Sequence, residues 1–291
     1  MPANRRRTEL WRRSLWQVYE RNGALEVSLP RPDDDESSNL IWRVRILGLD
    51  EESITIEAPG ALGQSMPLDP GTELVCVLGI GQNRWMFPTT VQDQVSHRSG
   101  PNRTIVALRL EMPTRVERCQ RRSFYRVSTH TLSLPKVTCW PLLNPTTAGV
   151  AEKANEAQIR AALNGDPVDD SAVMDETIAQ PEVGPSFDAT LANLGGGGIG
   201  LIIEPEDSRA MGRHRMFWLR ITLTPEIPLP LAVSAKLVHT HIDSSQRTYA
   251  GFAFEFNHNR THQRFVVEQL QRYVDVQQDN LRRAQSMRKA S

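Results

Sequence analysis

Apolar and polar residues alternate with a period of two through much of residues 24–113, which predicts strands. Leu25, Val27 and Leu29 alternate, as do Trp42, Val44 and Ile46, then Ile54 and Ile56. The turn signal Leu68-Asp69-Pro70-Gly71 precedes Leu74, Cys76 and Leu78, and Gly79 to Asn83 precedes Trp85 and Phe87. Val106, Leu108 and Leu110 close the series before Met112-Pro113. Short alternating strands between Gly, Pro, Asp and Asn turns predict a small antiparallel barrel or sandwich. A strand from Val127 through Leu132 and Leu134 begins a second set. Residues 188–192, 200–203, 216–223, 232–239 and 249–256 continue it. The period changes at both ends of the chain. Over Thr8 to Arg21, Trp11, Leu15, Val18 and Tyr19 share one helical face, and Asn22-Gly23 is a stop signal. Near the C-terminus, Val266, Leu270, Tyr273, Val274 and Leu281 follow a 3.6-residue repeat.

One interior stretch fits neither period. Residues 141–186 are rich in Ala, Asn, Asp, Glu and Pro. From Ala151 to Ser186, eight acidic residues stand against Lys153 and Arg160, a net of minus six. That composition predicts a solvated, disordered acidic insertion, with at most a short helix at Ala151 to Leu163.

Composition then removes whole classes of function. The 291 residues hold 34 Lys+Arg and 34 Asp+Glu, so the chain as a whole is not a polyion. No apolar run approaches the ~20 residues of a membrane span. The basic start (Arg5, Arg6, Arg7) leads into an amphipathic stretch rather than an apolar secretory core. A soluble, cytoplasmic protein is expected. Cys76, Cys119 and Cys139 are odd in number and lack CxxC spacing, so structural thiols in a reducing compartment are expected.

Chemical motifs are few. Gly195, Gly197 and Gly200 satisfy GxGxxG literally, but Leu201 to Glu204 reads as a strand rather than a helix, and no βαβ alternation surrounds it. A turn whose glycines take positive φ is the simpler expectation. His239 and His241 are two apart, which on a strand places both rings on one face, read as a surface pair without enough ligands for zinc. Asp33 to Glu36 reads as a solvated loop. No nucleophile elbow or paired-carboxylate motif is present, so an enzyme is not expected, and no metal or cofactor. The cluster Arg121-Arg122-Ser123-Phe124-Tyr125-Arg126 is sharper. Guanidinium groups offer forked donors for phosphate oxygens and the guanine O6/N7 edge, and planes that stack on bases. Three of them between two β regions suit a compact anionic purine nucleotide. A solvated basic linker is the alternative.

With these residues in view, the sequence resembles the PilZ family of cyclic di-GMP receptors, of the two-domain flagellar-brake type. Gln120 to Val127 matches the QRRxxxR signature, with its RxxxR element at Arg122 and Arg126. Asn193 to Leu201 looks like the second motif, (D/N)xSxxG followed by GIGL, and Gly251 to Phe256 resembles the last strand of the family's barrel. The resemblance implies a mainly β chain: two small antiparallel β-barrels joined by a short arginine-rich linker, with N- and C-terminal helices. Its segments are an N-terminal helix (1–23), a flagellar-brake-like barrel (24–115) and a ligand-binding linker (116–126). A PilZ barrel (127–257) carrying the acidic insertion (141–186) and a C-terminal helix (258–291) complete it.

The resemblance also implies roles. Arg122 and Arg126 grip phosphates and guanines, and Arg121 stacks on a base. Asn193 bonds a guanine edge, and Gly195, Gly197 and Gly198 form the turn, with Gly198 admitting the ligand. Two positions depart from the pattern. Asn193 stands where Asp is commonest, and Gly195 where Ser is expected, so each costs a hydrogen bond worth about 1 kcal/mol. The implied function is a cyclic di-GMP receptor in which ligand orders the linker, changes domain orientation and regulates a protein partner. That partner is a flagellar motor component in the family's usual case, with control of motility or surface-associated behaviour. DNA is not an expected partner. A degenerate PilZ scaffold acting as an adaptor without nucleotide is the alternative. Single-stranded nucleic acid binding is a third reading, disfavoured by the 6% aromatic content.

Overall fold

Alternation becomes burial in the first β region. The computed structural model describes residues 11–30, 40–80, 83–101, 103–119, 134–165, 180–195, 197–243 and 246–290. They form a mainly β chain with three α-helices, divided into two units.

The first unit comprises Met1–Gly60, Ser65–Ser133 and Gln277–Ser291. It opens with α1 (Trp11–Glu20), whose inner face is Trp11 and Leu15, both buried. Asn22 takes the left-handed conformation at φ 52°, and the Gly23 amide donates to the Val18 carbonyl at 2.7 Å. A Cβ on Gly23 would lie 2.4 Å from Val18 Cγ1, so the stop signal works through absence of a side chain. The strands are β1 (Ala24–Ser28), β2 (Ile41–Leu49), β3 (Ser53–Glu57), the short β4 (Gly60–Ala61) and β5 (Gln64–Ser65), β6 (Glu73–Ile80), β7 (Asn83–Gly100), β8 (Arg103–Glu111) and β9 (Glu117–Cys119). Their antiparallel pairings run β1–β6–β7–β8–β3–β2 and return to β1, a closed circuit of six strands. Leu25, Val27, Trp42, Val44, Ile54, Ile56, Leu74, Cys76, Phe87 and Leu108 fill its interior.

Two expectations change here. Val106 is 36% exposed although it continues the Leu108–Leu110 alternation. β3 pairs with β8 only as far as Glu57 opposite Ala107, and beyond that β7 and β8 run on as a ribbon with no interior to face. The start of the expected linker, Glu117–Cys119, is a strand on β7, opposite Arg84 to Met86. In the same unit Gln278 is nearly buried, and its amide donates to the Pro67 carbonyl at 3.0 Å. Its oxygen accepts from the Asp69 amide and the Thr72 hydroxyl, each at 3.3 Å, which seats the helix end on the 67–72 turn.

The second unit comprises Ala61–Gln64 and Leu134–Val276. Its elements are β10 (Lys136–Pro141), α2 (Ala148–Leu163), β11 (Phe187–Gly195), β12 (Gly198–Ile203), β13 (Met216–Ile221), β14 (Leu231–Ile242) and β15 (Thr248–Phe254). It also holds the first part of α3 (Arg260–Ala290). Here the circuit is β10–β13–β14–β15–β12–β11 and back to β10, again six strands and again antiparallel throughout. Val137, Leu191, Leu201, Phe217, Leu219, Val233 and Phe252 lie inside. The expected strand at 127–133 lies outside the described residues. β10 takes the adjoining stretch, with Val137 and Cys139 pointing inward.

The expected insertion is corrected in part: its short helix at Ala151 to Leu163 is present, over Ala148–Leu163, but is packed rather than solvated. Residues 142–165 and 180–186 are described, and α2 occupies their centre. Asn144 Oδ1 accepts from the Thr146 amide at 3.2 Å at the short helical turn before α2, and Gly165 at φ 82° follows its end. The buried face is Ala148, Ala151, Glu152, Asn155 and Ile159. Ala148 and Ala151 pack on Leu142, Trp218 and Ala232. Glu152 Oε1 accepts from the Ser234 hydroxyl at 2.9 Å and amide at 3.3 Å. Asn155 accepts from the Ala232 amide and donates to the Pro230 carbonyl, both at 2.9 Å. A helix whose inner face is alanine and hydrogen-bonded polar residues has the composition of a solvated segment. That is why composition read the stretch as solvated.

Candidate functional site

The two glycine-rich segments meet on the outward face of the second circuit. β11 ends at Gly195 and β12 begins opposite it at Gly198, so a two-residue turn joins them. Inward residues of β12 are Ile199, Leu201 and Ile203, all buried, which sends Gly198 and Gly200 outward. A bulge between Leu191 and Asn193 places Asn193 opposite Gly200. Gly200 is opposite Gly251 on β15, and Gly251 is opposite His239 on β14. One row therefore crosses four strands: Asn193, Gly200, Gly251, His239.

Gly198, Gly200 and Gly251 are needed for close approach rather than for positive φ. Among the described glycines, positive φ belongs to Gly63, Gly71, Gly165 and Gly212; Gly195, Gly197, Gly198 and Gly200 do not adopt it. A Cβ on Gly198 would lie 1.9 Å from the Phe252 carbonyl oxygen. On Gly200 it would meet the Tyr249 hydroxyl at 2.2 Å and Asn193 Oδ1 at 2.9 Å. On Gly251 it would meet the His239 ring at 2.2 Å. By contrast, Gly195 has only the Gly198 carbonyl at 3.8 Å, and Gly197 is exposed with nothing within 4 Å.

Tyr249 and His239 lie across the space the glycines leave. Tyr249 sits between two imidazoles, its ring centroid 5.9 Å from His239 and 4.8 Å from His241. The expected same-face placement of His239 and His241 is what the strand provides, and both are exposed. Asn193, only 7% exposed, donates from Nδ2 to the Tyr249 oxygen at 3.2 Å. The Tyr249 hydroxyl in turn reaches Asn193 Oδ1 at 3.5 Å. Lys236, exposed, follows one row along, opposite Ala253, which is opposite Gly198. The patch thus offers a primary amide, three aromatic rings and an ammonium group on a flat strand surface. Those groups suit a planar heterocycle carrying negative charge.

Of the sequence-predicted site residues, the structure brings Asn193, Gly195, Gly197 and Gly198 to this face. Arg121, Arg122 and Arg126 lie outside the described residues. Sequence reasoning missed Tyr249, Gly200 and Gly251 as members. The signal was present in part, since His239 and His241 were on one face, but Tyr249 joins them only through the β14–β15 register. Among the described residues no group of three His, Cys, Asp or Glu side chains could hold a metal ion. No helix among them is long and apolar enough to cross a membrane. Cys76 and Cys139 are buried and free, and burial pushes both thiols far above the ordinary range.

Comparison with known proteins bears on the first unit most directly. Residues 22–106 match the family model PilZNR, described as flagellar protein YcgR. That segment is similar to the PilZNR domain of YcgR-type proteins. No curated protein sequence matches the chain. Similar solved structures include the Bacillus subtilis inhibitor of motility MotI/DgrA, at 14% identity and TM-score 0.30, covering 87% of this chain and 97% of that one. YcgR from Escherichia coli in complex with c-di-GMP gives 12%, a TM-score of 0.29, and coverage of 94% and 92%. MrkH from K. pneumonia in its apo state gives 11%, 0.29, and 96% and 95%.

Proposed function

From the match of residues 22–106 to the PilZNR model, we propose that the protein is a non-enzymatic cyclic di-GMP receptor that regulates a protein partner in motility or surface-associated behaviour. The carrying observation is the outward row Asn193–Gly200–Gly251–His239 with Tyr249 laid across it, beside the Gly195–Gly198 turn. A guanine meets the amide of Asn193 there, and the bare glycines let it approach the sheet. The two closed strand circuits are small barrels in this reading, and the segment after β9, residues 120–126, is the ligand-binding linker. Arg122 and Arg126 take phosphates and guanine edges, and Arg121 stacks on a base.

Ligand shifts the protein only through different affinity for two arrangements. The linker arginines supply that difference, and ordering them changes domain orientation and presents a new surface to the partner. Isothermal calorimetry with cyclic di-GMP on the wild type and on Arg122→Ala/Arg126→Ala tests the proposal. Saturable heat in the wild type and none in the double variant is expected. No heat in a folded wild type at tens of micromolar ligand overturns the receptor reading and favours a nucleotide-independent adaptor.

A further inference from the structure

An asparagine presents a donor end and an acceptor end, and a half-turn of the amide exchanges them. A carboxylate at the same place has two equivalent acceptors and nothing to exchange. The distinction matters for base choice. An acceptor alone complements the N1–H and N2–H edge of guanine. A donor and acceptor used together are the usual asparagine answer to adenine. An Asn193 free to turn therefore reads either purine.

We propose that Tyr249 is a positioning residue that holds the nitrogen end of the Asn193 amide and leaves its oxygen lone pairs for guanine, making Tyr249 a determinant of guanine-over-adenine choice. The inference rests on the receptor reading above. The shorter of the two contacts, 3.2 Å, runs from Nδ2 to the phenolic oxygen, and the contact to Oδ1 is at the 3.5 Å limit of bonding distance. Tyr249 is itself held by the sheet. It is opposite Ile202 on one side and His241 on the other, with its ring flanked by both imidazoles. Gly200 permits the pairing, because a Cβ there would strike the Tyr249 hydroxyl and Asn193 Oδ1 together. With Asn193 nearly buried, no bulk water competes on the sheet side of the amide. The arrangement discriminates by exclusion. With Nδ2 tied to the phenolic oxygen, one of its two protons is used and the amide cannot turn its donor end toward the base without giving up that bond.

The test is calorimetry of the full chain with cyclic di-GMP and cyclic di-AMP on the wild type, Tyr249→Phe, Asn193→Asp and the double variant. Tyr249→Phe removes one oxygen and keeps the ring, and thermal unfolding checks that all four proteins fold. The expected result is about a five-fold loss of cyclic di-GMP affinity in Tyr249→Phe, with the guanine-to-adenine preference narrowed by about ten-fold. In the Asn193→Asp background the same change moves the preference by less than about two-fold, since a carboxylate has no donor end. A merely structural tyrosine lowers both affinities alike and leaves the ratio in place. An unchanged ratio in Tyr249→Phe, or equal narrowing in both backgrounds, overturns this inference while leaving the receptor reading intact. A wild type silent to both nucleotides overturns both.

Discussion

The two six-strand circuits share a strand count and an antiparallel closed path, yet they place glycine differently. In the first, Gly48 sits at a bulge with Thr55 Cβ 3.4 Å from where a Cβ would be, an ordinary contact, and Gly79 and Gly100 have nothing within 4 Å. Its outer surface is dressed with ion pairs such as Arg45–Glu57 at 2.9 Å and Arg84–Glu26 at 2.8 Å. In the second, Gly198, Gly200 and Gly251 line one face with no room for a methyl group. A closed β circuit needs no such glycines, so their presence on only one of the two marks the face that differs in task.

Substitution breaks this contrast most directly at Gly198. Gly198→Ala drives a Cβ into the Phe252 carbonyl and should cost about 3 kcal/mol or more, because backbone cannot step aside. Gly48→Ala should cost less than about 1 kcal/mol. Denaturant unfolding of the two variants measures the difference, and equal losses would remove the contrast. Gly200→Ala sharpens it, since the obstructing atoms are side-chain ends that can move. Its stability loss should be below that of Gly198→Ala, while cyclic di-GMP affinity falls about ten-fold as Asn193 and Tyr249 separate. Gly195→Ser runs the other way. The nearest atom to its new Cβ is 3.8 Å away, so the hydroxyl fits, and calorimetry should show about a five-fold gain in affinity with Tm unchanged.

Glu152 distinguishes the covered part of the second circuit from its open face. Burial raises its pKa, and nearby His262 only partly opposes this. The folded protein therefore holds the proton more tightly than the unfolded chain. This contribution is fully present below the ordinary glutamate pKa and is lost as pH rises through the higher folded value. Glu152→Gln removes that loss and keeps an acceptor for Ser234. Thermal unfolding from about pH 4 to about pH 8 should show the variant gaining on the wild type as pH rises, and parallel curves would refute it. The smallest effect belongs to the first circuit's surface. Arg45→Ala removes an exposed ion pair and should change stability by no more than about 0.5 kcal/mol.

Much of the architecture was legible where one side of an element is dry and the other wet. Trp42, Val44 and Ile46 declare a strand because their neighbours Arg43 and Arg45 are exposed. Val266, Leu270, Tyr273 and Val274 declare a helix for the same reason, and all four are buried. α2 was legible as a short helix at Ala151 to Leu163, but its docking was not, because Glu152 and Asn155 do inside what apolar side chains usually do, their polar atoms being satisfied by β14 and the chain just before it. The turn at 195–198 was legible as a turn and candidate site, while the neighbourhood of Tyr249 to Asn193 was not. Contact between residues 56 positions apart depends on a register, and bulges at Leu191/Asn193 and Leu237/His239 shift that register in ways no local pattern announces.

The place of α2 in the chain has an entropic consequence. β10 and β11 are antiparallel neighbours, yet residues 142–186 intervene between them, so that pairing must close a long loop. The free energy of closing a flexible loop grows only with the logarithm of its length, by about 0.6 kcal/mol for each doubling. Lengthening a hairpin connection into a helical excursion is therefore cheap. The burial of Ala148, Ala151 and Ile159 is of a size to offset it. The closed circuit thus carries an appendage at this connection at little entropic cost, docked on the same strand, β14, that supplies His239 to the glycine face.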